Sequence, residues 1–254
     1  MIDVVIPYIR GEAQGNELEL AITGWLRHFK EEHRITVVGD HHPCIEKYGP
    51  QVDYIGCDRL SKESFPYQYL PHIDITRKLD MFCMLRSPER FIFTADDVYA
   101  VQDFDLNDLR IPKYISEGIP VVSQLCTNQY ALDLSRTHAL LRDERLPERC
   151  YETHMPELFE RRPFQAIVRY YNMLEVSRVI GDMYHNIVRP MAPRKDLSTI
   201  AGQNEWILNY GLAGPSVYEV IADVKAWGPI WLNNGTEGWS KGLEDYLTGH
   251  YKLT

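Results

Sequence analysis

The sequence predicts an α/β fold: a mixed, mostly parallel sheet flanked by helices, followed by a more helical second half. Three observations carry that expectation. The chain opens with strand, helix and strand in succession; its strand segments are near-continuous apolar runs of the kind buried on both faces; and polar or acidic residues stand where those runs stop.

Ile2, Val4, Val5 and Ile6 form an apolar run stopped by Pro7, which reads as a buried strand beginning almost at the first residue. From Asn16 to Lys30, Leu18, Ala21, Ile22, Trp25, Leu26 and Phe29 recur at three- and four-residue spacing while Glu17, Glu19, Arg27 and Lys30 take the other side, the pattern of an amphipathic helix. Ile35 to Val38, closed by Gly39-Asp40, gives a second strand, and Val52 to Ile55 a short third. Gly56 to Pro71 has no period and reads as a long loop, a kind that in compact domains usually serves function. Asp74 is placed to cap a helix lined by Ile75, Leu79, Phe82 and Cys83 that ends before Ser87-Pro88. Phe91-Ile92-Phe93 is the next strand and runs into Thr94-Ala95-Asp96-Asp97. Further on, Val121 and Val122 suggest a strand. Phe164 to Tyr171 and Val176 to Ile187 suggest two helices separated near Asn172, and Trp239 to Leu247 a terminal helix stopped by Gly249.

With 254 residues, 44% hydrophobic and 25% charged, the composition is that of a globular chain and excludes disordered or fibrous structure. Repeats and low-complexity linkers are absent, so a single domain over 1–254 is expected, with a ligand-binding half over 1–105 and a second functional half over 106–254. A net charge of -9 argues against nucleic acid as a partner, although a small anion can still be received in a locally basic cleft. The five scattered cysteines include no CxxC pair, no apolar run reaches membrane-spanning length and no secretory leader opens the sequence; a cytoplasmic location without membrane binding is expected. The phosphate-loop, dinucleotide and serine-hydrolase signatures are absent, which removes the main support for a kinase, a dehydrogenase or a serine hydrolase.

Asp96 and Asp97 are the most informative residues. Ionised carboxylates at the end of a buried strand are costly unless something positive meets them, and a divalent cation bridging to phosphates is the simplest partner; the plain alternative is a turn cap. In open α/β sheets ligands collect outside the carboxyl ends of the strands. Pro7-Tyr8 with Arg10, Gly39-Asp40 and Asp96-Asp97 all stand at such ends and can share one crevice. Asp40 is a candidate for a base or ribose, and Arg77 and Lys78 for a diphosphate, unless they simply pair with Asp74 or Asp80. His41-His42 is not a site, because neighbours on a strand point to opposite faces. Tyr67, Tyr69, Trp227, Trp231 and Trp239 can supply a stacking platform or serve the core.

On these residues the chain resembles the nucleotide-sugar half of GT-A-fold (Rossmann-like) glycosyltransferases, in which an Asp-x-Asp or related motif after a strand holds a metal against the donor diphosphate. The order Ile2-Asp3-Val4-Val5-Ile6-Pro7-Tyr8, Glu17 to Ile22, Val37-Val38-Gly39-Asp40 and Phe91 to Asp97 also looks like bacterial sugar-phosphate transferases of the Stealth type. Ala95 and Thr94 stand where a strict Asp-x-Asp ending at Asp97 or Asp96 has its first acid. Cys150-Tyr151-Glu152-Thr153-His154-Met155-Pro156 resembles a Tyr-Glu-Thr-His-x-Pro segment of GT-A-like bacterial proteins, and a later His often completes the metal site in that family. The resemblance implies a hexosyltransferase-type enzyme using a UDP- or GDP-sugar donor and a glycan or other hydroxyl acceptor. Mn²⁺ or Mg²⁺ would be held by Asp96, Asp97 and His154. Asp96 and Glu152 would be catalytic, with Asp223 and Glu237 as further candidates for a base. Transfer of a sugar phosphate, or silent binding of a carbohydrate or nucleotide by the same fold, are the alternatives.

Overall fold

A computed structural model describes residues 1–60, 70–120, 128–211, 214–235 and 238–253. Its main sheet takes β1 (Ile2–Tyr8), β2 (His33–Gly39), β3 (Val52–Gly56) and β4 (Arg90–Phe93), with α1 (Glu17–His28) between the first two and α2 (Pro71–Arg86) before the fourth. The strand order is β3-β2-β1-β4, all parallel, and the late strand β9 (Glu157–Glu160) closes the edge antiparallel to β4, Phe91 opposite Phe159. From β1 the chain builds outward to β2 and β3 on one side and returns to β4 on the other. The strand order therefore reverses beside β1, which is where open α/β sheets form a crevice.

Pro7 does not stop β1. Thr94 N–H donates to Val5 O while Asp40 N–H donates to Tyr8 O, so odd-numbered residues of β1 turn their peptide groups toward β4 and even-numbered ones toward β2. The β4 ladder ends at Val5, so the N–H that Pro7 lacks lies beyond it and no ladder bond is lost.

The pleat sorts the core into two layers. Val4 and Ile6 meet Ile22 and Trp25 of α1, while Val5 meets Phe82 of α2 together with Phe159, Phe164 and Tyr184. Trp25 is fully buried edge-on to Phe29 and Phe104, with centroids 5.3 and 5.1 Å away, and Phe104 sits 5.2 Å from Trp231. A second sheet, β11 (Ile207–Tyr210), β12 (Trp231–Asn234) and β5 (Val98–Ala100), packs against α1. The approach is close at Gly24, where an added Cβ would sit 3.0 Å from Ala100 N.

The rest of the chain comprises the two-residue pairs β6 (Lys113–Tyr114) with β10 (Lys195–Asp196) and β7 (Ser116–Glu117) with β8 (Arg149–Cys150). The helices are α3 (Leu106–Arg110), α4 (Gln129–Asp143), α5 (Arg161–Tyr170), α6 (Ile180–Val188), α7 (Ile200–Asn204), α8 (Val217–Trp227) and α9 (Lys241–His250).

Three expectations are corrected. The helix expected at Asp74 begins at Pro71, whose fixed φ suits a first helical position, and Asp74 lies one turn inside. The terminal helix starts after Ser240, whose side chain caps Leu243 N, and runs through Gly249 to His250. The left-handed residue after it is Lys252. Of the segment from Val176 to Ile187, only the part from Ile180 is helical. Val121, Val122, Cys126, Tyr67, Tyr69 and Glu237 lie outside the described residues. Cys44, Cys57, Cys83 and Cys150 are buried free thiols. Among the described residues no helix is long and apolar enough to cross a membrane.

Candidate functional site

A cleft of about 270 Å³ opens where β1 and β4 end. Pro7 lies near the end of β1 and Ile9 just after it; Glu17 opens α1; Asp74, Ile75 and Lys78 face it from α2; Asp96 and Asp97 follow β4; Asn234 ends β12 and Gly235 follows it. The turn that presents the two acids is fixed by its main chain, since Asp97 O accepts from Asn233 Nδ2 at 3.1 Å and from Asn234 N–H at 3.3 Å.

Both carboxyls are half-buried cleft residues. Burial, then the neighbouring Asp97 and Glu17 charges, pushes Asp96 well above the carboxylate range. Burial, then Glu17, raises Asp97 to about 7, against help from the Asn233 side chain and its own peptide N–H. Glu17 itself is 4% exposed, with its Oε2 accepting from Gln14 N–H at 2.6 Å and its Oε1 from Asn234 Nδ2 at 2.7 Å. Tyr99 OH donates to Asn234 Oδ1 at 2.5 Å, so a buried chain ties the start of α1 to β12 and β5 of the second sheet. Sequence reasoning missed Glu17 because an acid in a first helical turn is indistinguishable from one that merely suits the helix dipole.

Lys78 lines the cleft but its charge is engaged: Nζ lies 2.7 Å from Asp74 Oδ2 and donates to Tyr8 O at 3.0 Å. Gly39 makes that corner possible, because at φ +142° a Cβ would lie 1.9 Å from Tyr8 O and 3.2 Å from Lys78 Cε. Tyr8 is buried beside the cleft, and burial followed by the Asp96 charge pushes its phenol to about 12. Arg10, Asp40 and Arg77 are not in the cleft wall. Asp40 Oδ2 accepts from Arg10 N–H at 2.8 Å, and Arg77 reaches Asp58 O at 3.3 Å. Asp223 is also remote, accepting from Tyr210 OH at 3.3 Å. Trp231 is core, Trp239 covers Gly15 and Trp227 is 40% exposed on α8, so these three form no common platform.

A second pocket of about 270 Å³ shares Ile75, Phe93, Ala95 and Asp97 with the first and continues to Tyr130, Glu152, His154 and Glu157. Glu152 is hydrogen-bonded to Tyr130, and burial, then the charges of Asp182 and Glu157, pushes it well above the carboxylate range. Glu157 is raised by burial and then by Asp182, while burial lowers its partner His185 to about 3. Burial thus disfavours charge on both partners of their 2.9 Å contact. Gly181 makes room for Glu157, whose Oε2 would lie 2.6 Å from a Cβ there. His154 is exposed on the pocket wall in the left-handed conformation at φ +58°, unusual for a non-glycine residue.

The segment bearing Glu152 and His154 is pinned from α6. Asp182 Oδ1 accepts from Tyr151 N–H at 2.6 Å and Oδ2 meets His138 Nε2 at 2.8 Å; Asn186 donates to Arg149 O at 2.8 Å and accepts from Arg149 N–H at 3.2 Å. Among the described residues His138, Cys150 and Asp182 are the trio of metal-competent side chains whose donor atoms gather within 4.8 Å, deep under the pocket. The donors of Asp96, Asp97 and His154 do not gather that closely, although Asp97 and His154 line one pocket.

No protein-family model matches the chain, and no curated protein is significantly similar to it in sequence. Solved structures do match. The apo structure of WbbM, a bifunctional glycosyltransferase, aligns at a TM-score of 0.55 and 11% identity over 100% of this chain and 50% of that one. The galactosyltransferase LgtC, solved with donor and acceptor sugar analogues, aligns at 0.56 and 11% identity over 99% of this chain and 95% of that one. The chain thus spans half of WbbM and nearly all of LgtC. These likenesses bear out the GT-A-like fold, and the Stealth resemblance has no support in them.

Proposed function

We propose that the chain transfers a sugar from a nucleotide-diphosphate donor to an acceptor hydroxyl, with Mn²⁺ or Mg²⁺ held by Asp96 and Asp97. One observation carries the reading: two adjacent carboxyls, both raised by burial and by the nearby Glu17 charge, face the crevice beside the switch point of a GT-A-like sheet. The residues present fit a hard cation. They offer oxygen donors under mutual repulsion with Glu17, and the nearby Lys78 is occupied by Asp74. A bound ion would neutralise charge developing on the leaving diphosphate.

This chain's residues supply the rest. Pro7, Lys78 and Asn234 shape the donor cleft, and the linked Arg10 and Asp40 stand at the neighbouring strand end as candidates for the ribose or base, while Arg77 lies farther out. His154 would complete the ligand set from the wall that Asp97 also lines. The second pocket receives the acceptor. Glu152 takes the hydroxyl proton there, because a carboxyl raised toward neutrality is a stronger base than an ordinary one.

A screen of UDP- and GDP-sugars in Mn²⁺ tests this through the nucleotide released. Nucleoside diphosphate, lost in Asp97→Ala, is the expected product. Nucleoside monophosphate would instead assign cleavage within the diphosphate, as in a sugar-phosphate transferase. Absence of both turnover and metal-enhanced nucleotide binding by calorimetry would leave a silent binding protein.

A further inference from the structure

We propose that His138, Cys150 and Asp182 form a zinc site, separate from the donor cleft, that fastens the segment bearing Glu152 and His154 to the helices behind it. His138 lies on α4, Cys150 ends β8 and Asp182 stands in the first turn of α6, so residues far apart in sequence bring three kinds of ligand to one point. Their donor atoms lie within 4.8 Å of one another, and all three side chains are fully buried. Bonds of about 2.0 to 2.3 Å to a shared tetrahedral ion place ligand atoms roughly 3 to 4 Å apart, so small side-chain rotations close the site. Three protein ligands leave the fourth position to a water.

The donor set selects the ion. A thiolate with an imidazole suits Zn²⁺, whereas the all-oxygen pair Asp96 and Asp97 suits Mg²⁺ or Mn²⁺. Zn²⁺ takes the place of the Cys150 thiol proton, which leaves to solvent, and the imidazole binds through one nitrogen while keeping its proton on the other. Thiolate and carboxylate then cancel the two positive charges, so the centre can be buried without net charge. The surroundings act as support. Asp182 Oδ1 accepts from Tyr151 N–H at 2.6 Å, which orients the carboxylate and leaves Oδ2, 2.8 Å from His138 Nε2, as the ligand atom. Ile115 N–H donates to Cys150 O at 2.9 Å and Arg149 N–H to Asn186 Oδ1 at 3.2 Å, which fixes the backbone at the cysteine. Thr137 Oγ1 accepts from Val179 N–H at 3.0 Å and so joins α4 to the start of α6 beside His138. His138 Nδ1 has no hydrogen-bond partner among the described residues, and a fully buried polar atom is rarely left so without a ligand nearby.

Metal binding by the full chain tests this without a transferase assay. After incubation with zinc chloride and desalting, the protein should retain stoichiometric zinc by plasma mass spectrometry. X-ray absorption at the zinc edge should show one sulfur at about 2.3 Å among lighter ligands. Co²⁺ in its place should give a thiolate-to-metal charge-transfer band. Asp97→Ala should keep that band. Cys150→Ser should lose it and weaken zinc binding by more than about 100-fold, beyond the cost of removing a merely supporting residue. The absorption spectrum of the unaltered protein decides the matter if Cys150→Ser fails to fold. No retained metal, a zinc shell without sulfur, or a band that survives Cys150→Ser would each overturn the proposal and leave His138 and Asp182 a plain hydrogen-bonded pair. Donor turnover is read separately, so failure of the transferase reading leaves this site standing, and the reverse holds equally.

Discussion

The molecule contains two acidic clusters, and they are built differently. In the acidic cluster beside α6 the supporting acids have dedicated partners, Glu157 with His185 and Asp182 with His138 and Tyr151 N–H, while Glu152 stays on the pocket wall beside Tyr130. In the donor cleft Asp74 has Lys78 and Glu17 has Asn234, but Asp96 and Asp97 receive help mainly from local peptide and amide groups while repelling each other and Glu17. A carboxyl satisfied within the chain contributes to the fold. A pair that is not satisfied within the chain is held for a ligand, and its cost is carried by the rest of the structure.

The largest expected effect follows from that asymmetry. Asp97→Ala should reduce nucleoside diphosphate release about 10²- to 10³-fold, the usual loss when a principal electrostatic group is removed from a polar transition state. It should leave the metal-free chain as stable as before, or more so, because a repelled carboxyl has gone. Product assays and thermal melts of one preparation check both halves. Loss of stability together with activity would show that Asp97 belongs to the structural class.

Asp182→Ala tests the opposite cluster. Asp182 is fully buried and serves both His138 and Tyr151 N–H, so its removal leaves two buried groups unsatisfied. The cost should be about 3 kcal/mol in denaturant unfolding, with Asp182→Asn costing less. An Asp182→Ala chain of unchanged stability would contradict the assignment.

How much of this was legible in the sequence depended on whether the signal was local. β1, α1, β2 and β4 declared themselves because burial on both faces, or on one helical stripe, writes apolar periodicity directly into the chain. Helix α4 was missed because its buried face mixes Ala131, Leu134 and Leu141 with Asp133, Thr137 and His138, which erases that periodicity. β11 and β12 were missed because asparagines break their short apolar runs, Ile-Leu-Asn-Tyr and Trp-Leu-Asn-Asn, and their pairing joins segments far apart in sequence. At the site, Asp96 and Asp97 were readable as acids after a strand. The engagement of Lys78 was readable only as one of two options, and Glu17 not at all, since its role depends on Asn234 more than 200 residues away.

Protonation should separate the clusters next. Burial raises Asp97 above its unfolded value, so its proton contributes stability that is fully present below the ordinary carboxylate range and is lost as pH rises toward about 7. The metal-free chain should accordingly weaken over that window, and Asp97→Asn should flatten the trend. Ion binding has the opposite sign. Below about pH 7 each unit of acidification should weaken Mn²⁺ affinity up to about tenfold, because a proton must leave first. Calorimetric titrations at pH 6, 7 and 8 would show it, and a flat affinity would remove Asp97 from the ligand set.

The smallest effect concerns His154, held at φ +58° on the wall of the second pocket. A side chain in the left-handed region costs roughly 1 kcal/mol that glycine avoids. His154→Gly and His154→Ala delete the same imidazole, but only the first relieves the backbone, so the glycine variant should be the more stable by about 1 kcal/mol. Part of that gain is offset by the greater freedom of glycine in the unfolded chain. If the imidazole serves the site, both variants should lose transfer to a similar extent whatever their stabilities. Equal stability would show that the turn relaxes, and retained transfer in both would confine His154 to the structural class.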